Sequence, residues 1–312
     1  MDAPLPLELQ PRCGLIVSGQ TRDTVLAQAR RAEALGFDSL WVGDHVSFHV
    51  PLIDSLSLLS FLAGATERVQ LGTCVYLLPL RHPTHAAKAA AAVDILSNGR
   101  LLLGLGVGGE FPPEFEASGV RVSERGARMD EAIPLLRRLW TEDGVAHEGK
   151  HFRFGPVTLA PRPARIGGPP LWIGGRSPAA MQRAGRLGDG YVSTMTAAER
   201  YRANLDEIGR AAAEAGRRVD SFGTGALLFT VLGKREEAVA RAAALLGTIY
   251  RRDFREAAPR YALCGEPADC LETMRRFADA GVRHFVLAPL MDPTEFVERV
   301  GAEILPEVRG LL

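Results

Sequence analysis

The chain has 312 residues, 46% of them hydrophobic, with 37 basic against 37 acidic side chains. That is enough to bury a large core, read here as one domain over residues 1–312, and the even charge argues against nucleic-acid binding as a main role. Four cysteines (Cys13, Cys74, Cys264 and Cys270) form no CxxC pair, no segment approaches the ~20 apolar residues of a membrane span, and no export signal opens the sequence. A soluble, cytoplasmic protein in a reducing setting is expected, without a disulfide framework or zinc ribbon.

Strand and helix signals alternate along the chain. Cys13–Val17 reads as a strand, followed by a helix from Thr21 to Leu35 that Gly36 ends. Ser39–Val42 is the second strand, ending in Gly43-Asp44-His45, with a helix over Asp54–Ala63. Leu71–Leu78 is the third; His82-Pro83-Thr84 opens its helix, which stops at Asn98-Gly99. The fourth, Leu101–Leu105, is wholly apolar, as a strand buried on both faces of a parallel sheet must be. It runs into Gly106-Val107-Gly108-Gly109-Glu110 and, after a proline-containing loop, a helix over Glu124–Trp140.

Residues 141–170 break the rhythm and read as a small hairpin insertion after helix four. The alternation resumes with strands at Leu171–Ile173, Tyr191–Ser193, within Gly225–Leu232, and at His284–Ala288. An arginine-rich linker is expected over Tyr250–Arg260, before a helix over Pro267–Ala280. Eight strands, each answered by a helix, predict an α/β fold of the (β/α)8 TIM-barrel type. A doubly wound sheet would call for a dinucleotide fingerprint after the first strand, and Ser18-Gly19-Gln20 is not one.

In such a barrel the residues just past the carboxyl ends of the strands build the active site. They are Ser18, Asp44, His45, Cys74, Val75, Gly106 to Glu110, Gly174 to Ser177, Ser193, Thr230 and Pro289. His45 is the sharpest candidate, because imidazole titrates near neutral pH, and Asp44 supplies a carboxylate beside it. Gly174-Gly175-Arg176-Ser177-Pro178 offers a flexible backbone, an N-cap serine and an arginine, a pattern suited to a phosphate at a helix N-terminus or to an ordinary capped turn. Gly106, Gly108 and Gly109 leave room for a flat group against backbone. The pairs His45/His49 and His82/His85 lack a third ligand, so no metal site is expected.

The chain resembles the bacterial luciferase-like flavin or deazaflavin oxidoreductases, and among them the branch that uses coenzyme F420. The likeness rests on Glu33 to His45, Leu71-Gly-Thr-Cys-Val75, Leu96-Ser-Asn-Gly-Arg100, Gly106 to Glu110 with Pro113-Glu-Phe115, Trp172 to Pro178, Gly188-Asp-Gly190, Gly265-Glu-Pro267 and Ala280 to Leu287. It implies a luciferase-like barrel with the cofactor ring at its carboxyl end and the tail phosphate near Gly174, Gly175, Arg176 and Ser177. Asp44 and His45 match the pair beside the reactive ring, with His45 moving the proton. Cys74-Val75 matches a bulge that is often a non-prolyl cis peptide backing the ring. Gly106, Gly108 and Gly109 match the adjoining floor, and Glu110 an acidic position near the substrate.

The resemblance also implies a hydride transfer between a small organic substrate and F420, shielded from water by Phe48, Phe111 and Phe115. The rivals are an FMN-dependent monooxygenase supplied by a partner flavin or F420 reductase, and a paralogue without cofactor. A homodimer is implied as well. In relatives that oxidise a sugar phosphate a tryptophan follows the histidine by four residues; His49 stands there instead, which argues against that substrate.

Overall fold

The computed structural model describes residues 5–312, so residues 1–4 of the expected domain, and the start of the segment read for an export signal, lie outside the described residues. In chain order the first half comprises β1 (Arg12–Ile16), α1 (Arg22–Leu35), β2 (Ser39–Val42), α2 (Ser55–Ala65), β3 (Gln70–Thr73), β4 (Tyr76–Leu77), α3 (Pro83–Leu96), β5 (Leu101–Gly106), α4 (Pro112–Ala117) and α5 (Arg125–Thr141). An antiparallel hairpin follows, β6 (Val145–Glu148) with β7 (Arg153–Val157). The second half comprises β8 (Leu171–Gly174), α6 (Pro178–Leu187), β9 (Gly190–Thr194), α7 (Ala198–Glu214), β10 (Gly223–Leu232), α8 (Arg235–Tyr250), α9 (Ala258–Tyr261), β11 (Ala262–Gly265), α10 (Pro267–Asp279), β12 (His284–Pro289), α11 (Pro293–Glu303) and α12 (Leu305–Val308).

Strands β1, β2, β3, β5, β8, β9, β10 and β12 pair in parallel and close on themselves, since β12 bonds both β10 and β1. This is the (β/α)8 barrel the alternation predicts. The helices start where the sequence supplies caps: Thr21, Asp54 and Ser177 each accept the backbone N–H three residues on. Gly36, at φ 93°, ends α1 in the left-handed conformation that glycine adopts without a steric penalty.

The lower half of the lumen is filled by two tryptophans. Trp41 of β2 and Trp172 of β8 lie 5.6 Å apart between ring centroids and are almost wholly buried. The neighbouring strands make room by carrying glycine: a Cβ on Gly72 would stand 2.3 Å from Trp41, and one on Gly223 would stand 2.2 Å from Trp172. His284 wedges edge-on between the two rings, its Nε2 2.6 Å from the Ser39 hydroxyl, which also accepts the Trp41 indole N–H. Burial pushes the His284 imidazole down to about 3, so it is neutral across the physiological range.

The sequence pattern differs from the structure in four places. The third strand does not run unbroken to Leu78: it stops at Thr73 and restarts as β4, because the Cys74–Val75 peptide bond is cis. The loop before the fourth helix contains a short helix, α4, opened by Pro112 and Pro113. Helix α8 runs to Tyr250, taking in the first residue of the expected linker. The end of that linker belongs to α9, and β11 follows it as an extra strand paired in parallel with β10. No helix among the described residues is long and apolar enough to cross a membrane.

Candidate active site

The end of β2 delivers Asp44 and His45 to the mouth of the barrel, and the two side chains diverge. Asp44 is buried and its carboxylate is fully engaged. Arg81 donates to both oxygens as a bidentate pair, the Leu77 backbone N–H donates at 2.8 Å and the Ser55 hydroxyl at 3.0 Å. The carboxylate field holds the Arg81 guanidinium above its ordinary value in spite of the desolvation that opposes it. Asp44 therefore ties β2 to β4, on the far side of the cis peptide.

His45 turns to a different acid. Its Nδ1 lies 3.0 and 3.1 Å from the two carboxylate oxygens of Glu114, which is wholly buried and also accepts the Val46 backbone N–H at 3.2 Å. A carboxylate there assigns the proton to Nδ1 and leaves the Nε2 lone pair free. Glu114 is held by α4, whose next residue, Phe115, is buried with Leu77, Leu80 and Val120. Phe115 thus anchors α4 from below; the expectation that it lines the reaction space is corrected.

The cis Cys74–Val75 bond turns Val75 into the lumen, where two glycines accommodate it. A Cβ on Gly106 would come within 2.1 Å of the Val75 side chain, and one on Gly174 within 2.6 Å. These two glycines form a cradle for Val75. Gly108 and Gly109 carry the chain round at φ 60° and 114°, where side chains are disfavoured. Cys74 sits half-buried beside Val75, and burial drives its thiol up to about 12, so the sulfur is protonated at neutral pH and unsuited to nucleophilic attack.

On the opposite side Gly175, at φ 144°, leads into α6, capped by Ser177. The Gly175 carbonyl accepts the Tyr191 hydroxyl at 2.9 Å, and Asn204 donates to that hydroxyl in turn. Arg176 is exposed and forms no ion pair or side-chain hydrogen bond among the described residues. Glu110 is also exposed, and its charge bears on the Tyr250 phenol. Thr194, at the end of β9, has a buried hydroxyl oxygen with no partner. Of the remaining candidates, Ser193 is buried and Thr230 bonds its own strand at Leu228. Among the described residues no group of three or more His, Cys, Asp or Glu could hold a metal ion.

The family model for luciferase-like monooxygenases matches residues 9–303. The chain belongs to that family. Among curated relatives, F420-dependent glucose-6-phosphate dehydrogenases of Intrasporangium calvum and Nakamurella multipartita are 30% and 31% identical over 90% of this chain and 93% and 91% of theirs. An F420-dependent secondary alcohol dehydrogenase, solved with an F420-acetone adduct, shares the fold with a TM-score of 0.85 at 23% identity, covering 96% of this chain and 100% of that one. Monooxygenase RslO1 from Streptomyces bottropensis aligns with a TM-score of 0.81 at 25% identity, over 95% of this chain and 99% of its own. As a member of the luciferase-like family the protein is an oxidoreductase.

Within this luciferase-like barrel the structure gathers His45, Cys74, Val75, Gly106, Gly174 and Glu114 at the mouth, and separates Asp44 from the opening by burial. Glu114 was not among the site residues expected from sequence. The available signal was its place in Pro113-Glu114-Phe115: a carboxylate followed by a large apolar residue in a proline-initiated turn marks a segment that packs down and carries the acid with it.

Proposed function

We propose that the protein is an F420-dependent dehydrogenase or reductase, moving a hydride between a small organic substrate and the deazaflavin while His45 moves the accompanying proton. The observation that carries this reading is the buried Glu114 carboxylate on His45 Nδ1, which orients the imidazole and leaves Nε2 as the proton acceptor or donor. Kinship with F420-dependent dehydrogenases along nine-tenths of the chain supports the cofactor.

The residues at the mouth fit a flat ring with a phosphate-bearing tail. Val75, seated on Gly106 and Gly174, would back the ring; Gly175, Arg176 and Ser177 at the start of α6 would hold the phosphate by backbone N–H groups and charge. When bound, the deazaflavin supplies the carbon that takes or gives the hydride. The protein's own part is to hold the proton. In the direction of oxidation His45 Nε2 takes the proton from a substrate hydroxyl, and Glu114 stabilises the imidazolium that forms. In the direction of reduction the same imidazolium returns it. Asp44 acts as a positioning residue, since Arg81, Ser55 and Leu77 occupy its oxygens. Glu110, exposed at the rim, is assigned to the substrate side and not to the proton step.

Mixing the purified protein with F420 or FMN and reading cofactor fluorescence and the visible spectrum tests the assignment. Saturable quenching of F420 with no FMN binding is expected. Binding of FMN alone would convert the reading to the reductase-fed monooxygenase, and binding of neither would remove both.

A further inference from the structure

Resting on the deazaflavin reading, we propose that the substrate is a neutral, ring-bearing molecule, and that Tyr250 is the residue that selects it. The argument starts from a wall of rings beside His45. Phe48 stacks face to face on the imidazole, with centroids 3.9 Å apart and planes 7° from parallel. Its edge meets Phe111 and Tyr250, each at 6.1 Å, and His49 meets Phe111 at 4.7 Å. Tyr250 also stands at right angles to Phe229, a barrel residue whose ring faces the lumen at 6.3 Å.

All five of these rings are half-buried, whereas the tryptophans below them are sealed. Half-open aromatic faces gathered at a reaction site complete their burial against a ligand, and the geometry favoured between rings is the edge-to-face contact already present here.

The charges around the wall favour a neutral occupant. Arg252 lies over the faces of Tyr250 and Phe254, which uses its guanidinium locally. At the Tyr250 hydroxyl the Glu110 carboxylate is opposed by the charges of Arg176 and Arg252, so the field there is mixed and calls for no ion. Loss of water and the charge of Arg251 both hold the His49 imidazole toward its neutral form.

Tyr250 is well placed to discriminate. It is the last residue of α8, fixed between Phe229 and Phe254 where Arg251 turns left-handed at φ 51° and stops the helix. Its hydroxyl makes no hydrogen bond among the described residues, and burial pushes it up to about 12, so it remains a neutral donor. The site thus presents flat apolar faces and one neutral O–H. With a ring-bearing secondary alcohol as probe, the carbinol hydrogen would leave with both bonding electrons as a hydride to the bound deazaflavin, the O–H proton would go to His45 Nε2 and the ketone would leave; reduction would reverse each transfer.

The test compares kcat/KM of the F420-loaded protein for 1-phenylethanol, 2-propanol and glucose 6-phosphate. The aryl alcohol is expected to lead 2-propanol by about tenfold or more, and Tyr250→Ala to remove about tenfold from the aryl alcohol alone. Phe111→Leu, on a separate loop, should reproduce the loss if Tyr250→Ala fails to fold. A lead for glucose 6-phosphate or for 2-propanol overturns the proposal while leaving the cofactor reading intact. Should F420 not bind, calorimetry with acetophenone still decides: binding that Tyr250→Ala abolishes supports the wall, and no binding overturns it.

Discussion

The floor and the mouth of this barrel each hold a histidine among aromatic rings, and the two are opposites. His284 is enclosed by Trp41 and Trp172, shares a hydroxyl with Ser39, and faces no carboxylate among its hydrogen-bond partners. His45 stands against half-open rings with a buried carboxylate on one nitrogen and the other nitrogen unbound. Burial alone makes a histidine inert; a buried acidic partner, with the ring left partly open, is what the proposed proton transfer at His45 requires. The strands are common to both ends, so chemistry is decided by what the carboxyl-end loops bring in.

The largest effect that separates the two ends is on turnover. His45→Ala should lower kcat by about 10²- to 10⁴-fold, the range of a lost general acid or base, with F420 affinity and the thermal midpoint nearly unchanged. Glu114→Gln is the sharper variant. Its amide can donate to Nδ1 and move the ring proton to Nε2, so turnover should fall although the fold keeps a partner of the same shape. Steady-state rates alongside fluorescence titration check both, and wild-type turnover in His45→Ala would return His45 to a structural role like that of His284.

The legibility of the two regions also differs. Asp44 and His45 were readable because they follow an apolar strand directly, and the barrel itself because eight apolar runs alternate with capped helices. Glu114 was not, since its partner lies 69 residues away and a Pro-Pro-Glu-Phe stretch, although it signals a packed turn, does not say which residue its acid meets. The tryptophan floor was hidden for another reason. Strands buried on both faces carry no alternation, so nothing in the sequence says that Trp41 and Trp172 point inward, or that Gly72 and Gly223 answer them. Strand β11 escaped because four residues after an arginine-rich segment carry too little pattern. Asp44 illustrates the converse error: its type and position suggested acid–base chemistry, and only the Arg81, Ser55 and Leu77 donors reveal that its oxygens are occupied.

At the floor the expected signature is pH-dependent stability. An unfolded histidine titrates near 6.5 and His284 in place near 3, so in that window the unfolded chain binds a proton that the native one does not. The contribution is therefore complete above pH ~6.5 and declines as pH falls, by about 1.4 kcal/mol per unit, or about 2 kcal/mol between pH 6.5 and 5. Urea unfolding at the two pH values, in wild type and His284→Gln, measures it. The variant should be less stable at neutral pH and less sensitive to acid; parallel losses in both proteins would show that the floor histidine is not the acid-sensitive group.

The smallest of these effects returns to the mouth and asks whether the α6 terminus serves the cofactor. Arg176 is exposed and without an ion-pair partner among the described residues, so changing it removes no internal contact. Surface charges of this kind contribute little to folding, and Arg176→Glu should leave the thermal midpoint in place. Toward a phosphate at the N-terminus of α6 the reversal replaces attraction by repulsion, and F420 affinity should drop by about tenfold at low salt and by less at high salt, as screening weakens both terms. A fluorescence titration at two ionic strengths reads both the drop and its salt dependence. Equal affinity of Arg176→Glu and wild type at low salt would move the phosphate away from this loop. It would leave the His45–Glu114 proposal untouched, because that proposal places the pair at the ring and not at the tail.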